Sequence, residues 1–336
     1  MEAFRTDGSG RVTGLVRVRV ADPEPGHGQI LVRMRAVSIN YLDLKVIAGD
    51  FPGGKPGLVP LSDGAGEVVA VGPGVTRWAA GDRVVSTFFP QWISGPITDA
   101  ARRDIPGAMR DGMLQDLVLF DAGAVVRMPE ALSFEAAATL PCAALTAWQL
   151  FTGPRPVLPG EVVLVQGSGG VSLFALQFAR LAGARVIATS SSAAKATRLR
   201  EIGAEAVIDY RATPDWGPEV RRVTGGTGAD HIVEIGEAGT LQQSIAAAAV
   251  NAQINLVGRP VGAPKVDPAI LMAAFATYRR ISVGSRSDFE AMNRAIAAHR
   301  LQPVIDRVFD RDGVAEALAY AAGRGQFGKV VIRLVV

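Results

Sequence analysis

The chain has almost no cysteine. Cys142 is the single one in 336 residues, so an internal disulfide is excluded and a reducing compartment fits. Histidine is nearly as scarce. His27, His231 and His299 are widely separated, and all three read as solvated surface residues. No apolar run reaches the ~18 residues that a membrane helix needs. The longest candidate, residues 244–257, is interrupted by Asn251, Gln253 and Asn255. Met1 to Arg5 form no apolar signal core, which gives the expectation of a cytoplasmic protein. Excess charge is also missing. The formal net charge is +3 with Lys and Arg scattered, which argues against a nucleic-acid partner.

What is present is a large apolar fraction, 49% against 20% charged, in a chain long enough for two domains. The most informative stretch is Val162-Val-Leu-Val-Gln-Gly-Ser-Gly-Gly-Val-Ser172. A β-branched run stops at a glycine cluster, and a helical pattern follows through Leu173, Phe174, Leu176, Phe178 and Leu181. A strand, a tight turn and a helix N-terminus in this order suit a pyrophosphate. Gly167, Ser168, Gly169, Gly170 and Val171 supply the turn and the first free N–H groups. Ser172 stands where the last glycine of G-x-G-x-x-G is expected.

Residues 10 to about 85 read as short alternating strands between Pro/Gly turns, a small β domain. Residues 88–113 are irregular and carry Phe88, Phe89, Trp92 and Met109, read as an apolar pocket wall or as ordinary core. From about Val125 to Gly262 the pattern is βαβα. It predicts strands at Val162–Gln166, Arg185–Thr189, Ala206–Ile208, His231–Glu234 and Gln253–Val257, with the fourth helix over Thr240–Val250. A further strand at Ile281–Gly284, two helices and a last strand from Lys329 follow. The expected fold is α/β, a β-rich domain with a doubly wound parallel sheet. The expected segments are 1–124, 125–262 and 263–336, the last returning to the first domain.

Several motifs then occur in a fixed order. They are Asn40-Tyr41-Leu42-Asp43, Asp63-Gly64-Ala65-Gly66-Glu67-Val68, Gly81-Asp82-Arg83-Val84, Leu140 to Trp148, the glycine loop, and Phe327-Gly328-Lys329-Val330-Val331. With them the chain resembles the medium-chain dehydrogenase/reductase superfamily over nearly its whole length. The resemblance implies a GroES-like β domain, a Rossmann domain and hydride transfer with a nicotinamide cofactor in the cleft between them. Zinc-dependent members hold their metal with Cys, His and Cys. The aligned positions here are Asn40, Ser62 and Cys142, with Asp63 in place of a glutamate. An amide, a hydroxyl and one thiolate make a poor zinc site, so no metal is expected. Cys142 reads as a small buried residue or as a nucleophile lacking a nearby histidine.

The coenzyme follows from the end of the second strand. An NAD site usually keeps an acidic residue there, and this chain has Thr189-Ser190-Ser191-Ser192. Lys195 and Tyr210 match phosphate-pocket positions of the quinone-reductase-like branch, so the resemblance implies NADP(H). Thr146 matches a threonine bordering the nicotinamide, and Gly258 and Lys329 are counted with the cofactor residues. Asn40, Tyr41, Ser62 and Asp63 are the candidates around the substrate carbonyl. Asn40 alternatively bonds a cofactor ribose, and Tyr41 is a proton donor or a pocket-filling aromatic. Asp43 is expected to fix its loop. The leading expectation is a zinc-free NADPH-dependent reductase of quinones or enones. Its alternatives are an alcohol dehydrogenase or ketone reductase, and a cofactor-binding structural or sensor protein without turnover. The partner set is a small-molecule substrate and a second copy, as a homodimer or homotetramer through Ile281–Gly284.

Overall fold

The computed structural model describes residues 1–235, 239–257 and 268–334. The chain divides into two compact units, Met1–Leu145 with Val283 onward, and Thr146–Ser282. These limits differ from 124/125 and 262/263 for a local reason. Val125–Arg127 pairs with Arg83–Ser86 and stays with the first sheet, whereas Ala276–Arg280 pairs with Ala248–Leu256 and extends the second.

The first unit is built on a seven-stranded sheet in the order Ile305–Asp310, Lys329–Arg333, Gln29–Ile39, Asp63–Val71, Arg83–Ser86 and Val125–Arg127, with Leu117–Asp121 also on Gln29–Ile39. The 11-residue strand Gln29–Ile39 organises it. Ile39 pairs with Val330 and Ser38 with Asp63, both antiparallel. That register brings Asn40, Lys329 and Ser62 to the same end of three neighbouring strands. The core beneath includes Ile30, Met34, Val37, Leu61, Met113, Leu114 and Ile332. A separate hairpin pairs Glu2–Thr6 with Leu15–Arg19. The region before residue 85 also contains the helix Tyr41–Ile47, so it is not purely β. Between residues 88 and 113 the only helix among the described residues is the single turn Asp99–Arg102.

The second unit is a six-stranded parallel sheet, ordered Ala206–Asp209, Arg185–Ser190, Val162–Gln166, Ala229–Glu234, Ala248–Leu256 and Ala276–Arg280. All of Val162–Gln166 is buried, as a central parallel strand covered on both faces requires. Helix Gly170–Leu181 buries Leu173, Phe174, Ala175, Leu176 and Phe178. Phe178 meets the Trp148 ring edge-on at 5.3 Å, and truncating so large a buried ring costs about 3–5 kcal/mol.

Three local expectations need correction. The fourth helix ends at Ala247 rather than Val250, and the strand starts at Ala248 with Asn251 at a φ of +64°. The outer strand is Ala276–Arg280 and not Ile281–Gly284; Val283 has a φ of +50°, which breaks extended backbone there. His231 is fully buried on Ala229–Glu234, not at the surface. Its Nε2 meets Arg155 and Glu161, and burial together with the Arg155 charge holds it below the usual histidine range. No helix among the described residues is long and apolar enough to cross a membrane.

Candidate active site

In the first unit the strand ends gather a buried polar cluster. Asn40 precedes helix Tyr41–Ile47, and its N–H donates to Asp43 Oδ2 at 2.7 Å. The other oxygen of Asp43 accepts from the Ser62 N–H at 3.1 Å. Asp43 thus ties the helix start to the loop before Asp63–Val71, the loop-fixing task expected of it. In that loop Leu61 has a φ of +71°, a strained conformation directly before Ser62.

The side chains form a directional chain. Lys329 Nζ donates to Ile39 O at 2.8 Å and to Asn40 Oδ1 at 2.5 Å. An ammonium cannot accept, so the atom facing it is the amide oxygen and Nδ2 turns to Ser62 Oγ at 3.3 Å. The Ser62 hydroxyl then donates to Asp63 Oδ1 at 2.9 Å, and Asp63 Oδ2 accepts from the Cys142 N–H at 3.1 Å. Asp43, Asp63 and Lys329 are 1%, 0% and 4% exposed. Two carboxylates and one ammonium, if all ionised, leave one net negative charge buried. Burial and the Asp63 charge push the Asp43 carboxyl up to about 7. Burial also raises Asp63, opposed by Lys329 and by its hydrogen bonds. Burial and Asp63 push the half-buried Cys142 thiol well above its usual value, which suits an inert residue better than a nucleophile.

The other sequence candidates of this unit lie elsewhere. Tyr41 is 54% exposed; its hydroxyl accepts from Arg324 at 3.0 Å, and its ring carries Lys45 and Arg324. Phe88 and Phe89 are buried core in edge-on contact at 4.8 Å, with Trp92 next to Phe89. The tip of the Met109 side chain faces Gly53.

In the second unit the turn after Val162–Gln166 has the features its sequence promised. Gly167 has a φ of +70°, and a Cβ at Gly167 or Gly169 would meet nothing within 4 Å. No side chain caps the following helix, so its first N–H groups are left for a ligand. Ser172 replaces glycine usefully: its hydroxyl donates to the Gln166 carbonyl at 2.6 Å and braces the turn. Ser168 is buried, as is Thr146 at the start of helix Leu145–Thr152. Behind the turn a network missed from sequence joins Gln166, Glu234, Ser244 and Thr240. Gln166 and Glu234 lie on neighbouring parallel strands, and Thr240 and Ser244 lie one turn apart on helix Thr240–Ala247.

At the end of the second strand Ser190 is buried, and its Oγ bonds to the Ser192 backbone. Tyr210 N–H donates to Ser190 O at 3.1 Å, Lys195 lies in the first turn of helix Ala193–Glu201, and Tyr210 is 40% exposed. Asp209 lies beside Ser190 across the sheet, but its Oδ1 accepts from the N–H groups of Arg211 and Ala212. Gly258 lies outside the described residues.

The turn therefore fits a dinucleotide. The polar cluster does not fit a zinc ion. Its amide oxygen is occupied by an ammonium, which would repel a dication, and no group of three His, Cys, Asp or Glu able to hold a metal exists among the described residues.

Two family domains match the chain. Residues 26–130 match the alcohol dehydrogenase GroES-like domain, and residues 170–298 match the zinc-binding dehydrogenase family. A zinc-type alcohol dehydrogenase-like protein of Schizosaccharomyces pombe is 41% identical over 317 residues, 91% of each chain. The crystal structure of an NAD-dependent alcohol dehydrogenase superposes with a TM-score of 0.91 at 34% identity, covering 100% of both chains. A mycobacterial protein complexed with NADPH superposes with a TM-score of 0.83 at 28% identity, covering 99% of this chain and 100% of the other.

Proposed function

The chain belongs to the medium-chain dehydrogenase/reductase superfamily and is an oxidoreductase of the alcohol dehydrogenase and quinone oxidoreductase type; from that premise we propose that it reduces a quinone or α,β-unsaturated carbonyl with NADPH and without zinc. The observation that carries this reading is the Lys329–Asn40 contact at the head of the Asn40–Ser62–Asp63 chain. An amide N–H backed by an ammonium can polarise a carbonyl, and a conjugated acceptor needs no stronger Lewis acid.

A bound NADPH would supply the hydride, and water would supply the proton that completes the reduction. Gly167, Ser168, Gly169, Gly170 and Val171 would hold the pyrophosphate. Ser190, Lys195 and Tyr210 would hold the 2′-phosphate, since Ser190-Ser191-Ser192 offers small hydroxyls and no carboxylate. The second Nδ2–H of Asn40 would meet the acceptor oxygen. The names of the first two relatives favour a second reading, oxidation of an alcohol or reduction of a ketone.

The chain would pair with a second copy along Ala276–Arg280. Val250, Met272 and Phe275 are 70%, 82% and 80% exposed near this edge, and the Asn251 N–H bonded to Phe275 O sets Val250 beside Phe275.

The test is turnover of NADPH and NADH against 1,4-benzoquinone, 2-cyclohexen-1-one, cyclohexanone and secondary alcohols, with metal content measured on the same preparation. NADPH oxidation by the quinone or enone with less than one-tenth equivalent of zinc is expected. Stoichiometric zinc, or turnover of alcohols alone, would overturn the reading.

A further inference from the structure

Lys329 is an expensive residue to bury. Its ammonium is 4% exposed, and its hydrogen-bond partners are neutral oxygens, Ile39 O and Asn40 Oδ1. It forms no ion pair with a carboxylate among the described residues. Its charge is therefore not cancelled by a direct partner. It acts at the amide that heads the chain to Ser62 and Asp63.

We propose that Lys329 supplies the fixed positive charge that stabilises the acceptor oxygen as it becomes an oxyanion, and that it aims the second Nδ2–H of the Asn40 amide at that oxygen while Ser62 holds the first. This deepens the reductase reading and rests on it. Lys329 is a positioning residue, since it acts through Asn40. The ammonium draws electron density from the amide oxygen, so the Nδ2–H groups become stronger donors. The same contact fixes which end of the amide faces Ser62. The charge is set before the substrate arrives, so no reorganisation is needed when the hydride adds and the π pair moves to oxygen.

The alternative is that Lys329 only balances the buried carboxylates. The two roles differ in their dependence on substrate. An enone places nearly a full negative charge on one oxygen, whereas a quinone spreads it through a conjugated ring. A charge that stabilises an oxyanion matters more for the enone. A charge that only holds the fold matters equally for both.

The experiment uses the full chain. Because Lys329→Met leaves Asp63 uncompensated, the double variant Lys329→Met/Asp63→Asn is compared with Asp63→Asn, so that charge balance is kept. Relative to Asp63→Asn, kcat should fall on the order of 100-fold with 2-cyclohexen-1-one and on the order of 10-fold with 1,4-benzoquinone, a single lost oxyanion contact being worth about that much. The Kd for NADPH, from tryptophan fluorescence, and the Tm should change little. Lys329→Cys treated with 2-bromoethylamine should recover most of the loss, with the wild type treated in parallel to account for Cys142. Equal losses for the two substrates, or a loss confined to NADPH affinity or Tm, would overturn the proposal. If the wild type reduces neither substrate, the reductase reading itself fails. If it reduces both and the variants do not discriminate, only the role of Lys329 fails.

Discussion

Gly107 packs so closely on Leu61 that a Cβ at Gly107 would lie 2.6 Å from the Leu61 carbonyl carbon. Both residues have positive φ, +77° at Gly107 and +71° at Leu61. The distant loop thus clamps the strained residue that precedes Ser62. Gly107→Ala has to push Leu61 aside while adopting a conformation alanine disfavours. A destabilisation of about 2–4 kcal/mol is expected. Denaturant unfolding measures it, and a stability within 0.5 kcal/mol of wild type, ~0.5 being the usual surface scatter, would contradict the clamp.

Asp43 makes stability depend on pH in the direction opposite to most carboxylates. Its folded value of about 7 lies above the ordinary 3.8, so the native state holds the extra proton in between. Unfolding free energy from this group is greatest below about 4 and declines as pH rises through about 7. The Tm of wild type minus that of Asp43→Asn, followed from pH 4 to 8, should therefore fall with rising pH. A flat or rising difference would show that Asp43 stays ionised throughout.

The proposed 2′-phosphate pocket lies at the end of Arg185–Ser190. Ser190→Asp should lower kcat/KM for NADPH and reduce its ratio to that for NADH at least ~10-fold, by charge repulsion and by offering the ribose an acceptor. Lys195→Ala should raise KM for NADPH while leaving NADH nearly untouched. Steady-state kinetics with both coenzymes decide the matter, and an unchanged ratio in both variants would remove these residues from the phosphate pocket.

Phe275→Asp tests association. A charge at this exposed position should shift sedimentation velocity toward the monomer without lowering the Tm of the monomeric species. Unchanged sedimentation of a dimer would place its interface elsewhere.

The Rossmann half was legible because a central parallel strand leaves a strong trace: Val162–Gln166 is apolar throughout and stops at glycines whose backbone the turn needs. The outer strand was misplaced because Ala276-Thr-Tyr-Arg-Arg280 has no apolar run, as an edge allows, while Ile281 and Val283 are apolar but follow the strand into buried positions. Helix Tyr41–Ile47 hid among strands, although an Asn with an Asp three positions on is a readable helix start. The motifs named Asn40, Ser62, Asp63 and Lys329, which the structure joins in one hydrogen-bonded chain. They could not show that Lys329 reaches Asn40, since that contact depends on sheet register across 289 positions.

The same register has a consequence for biosynthesis. The strand carrying Lys329 is interior to its sheet, and its partner Ile39 lies 290 residues earlier. At ~5–20 residues per second, roughly 15–60 s separate their emergence from the ribosome. During that interval Gln29–Ile39 has one flank open and its buried carboxylates have no nearby ammonium. The strand Lys329–Arg333 therefore both joins Gln29–Ile39 and switches on the charge at the centre of the sheet, so a nascent chain shows neither until that strand has emerged.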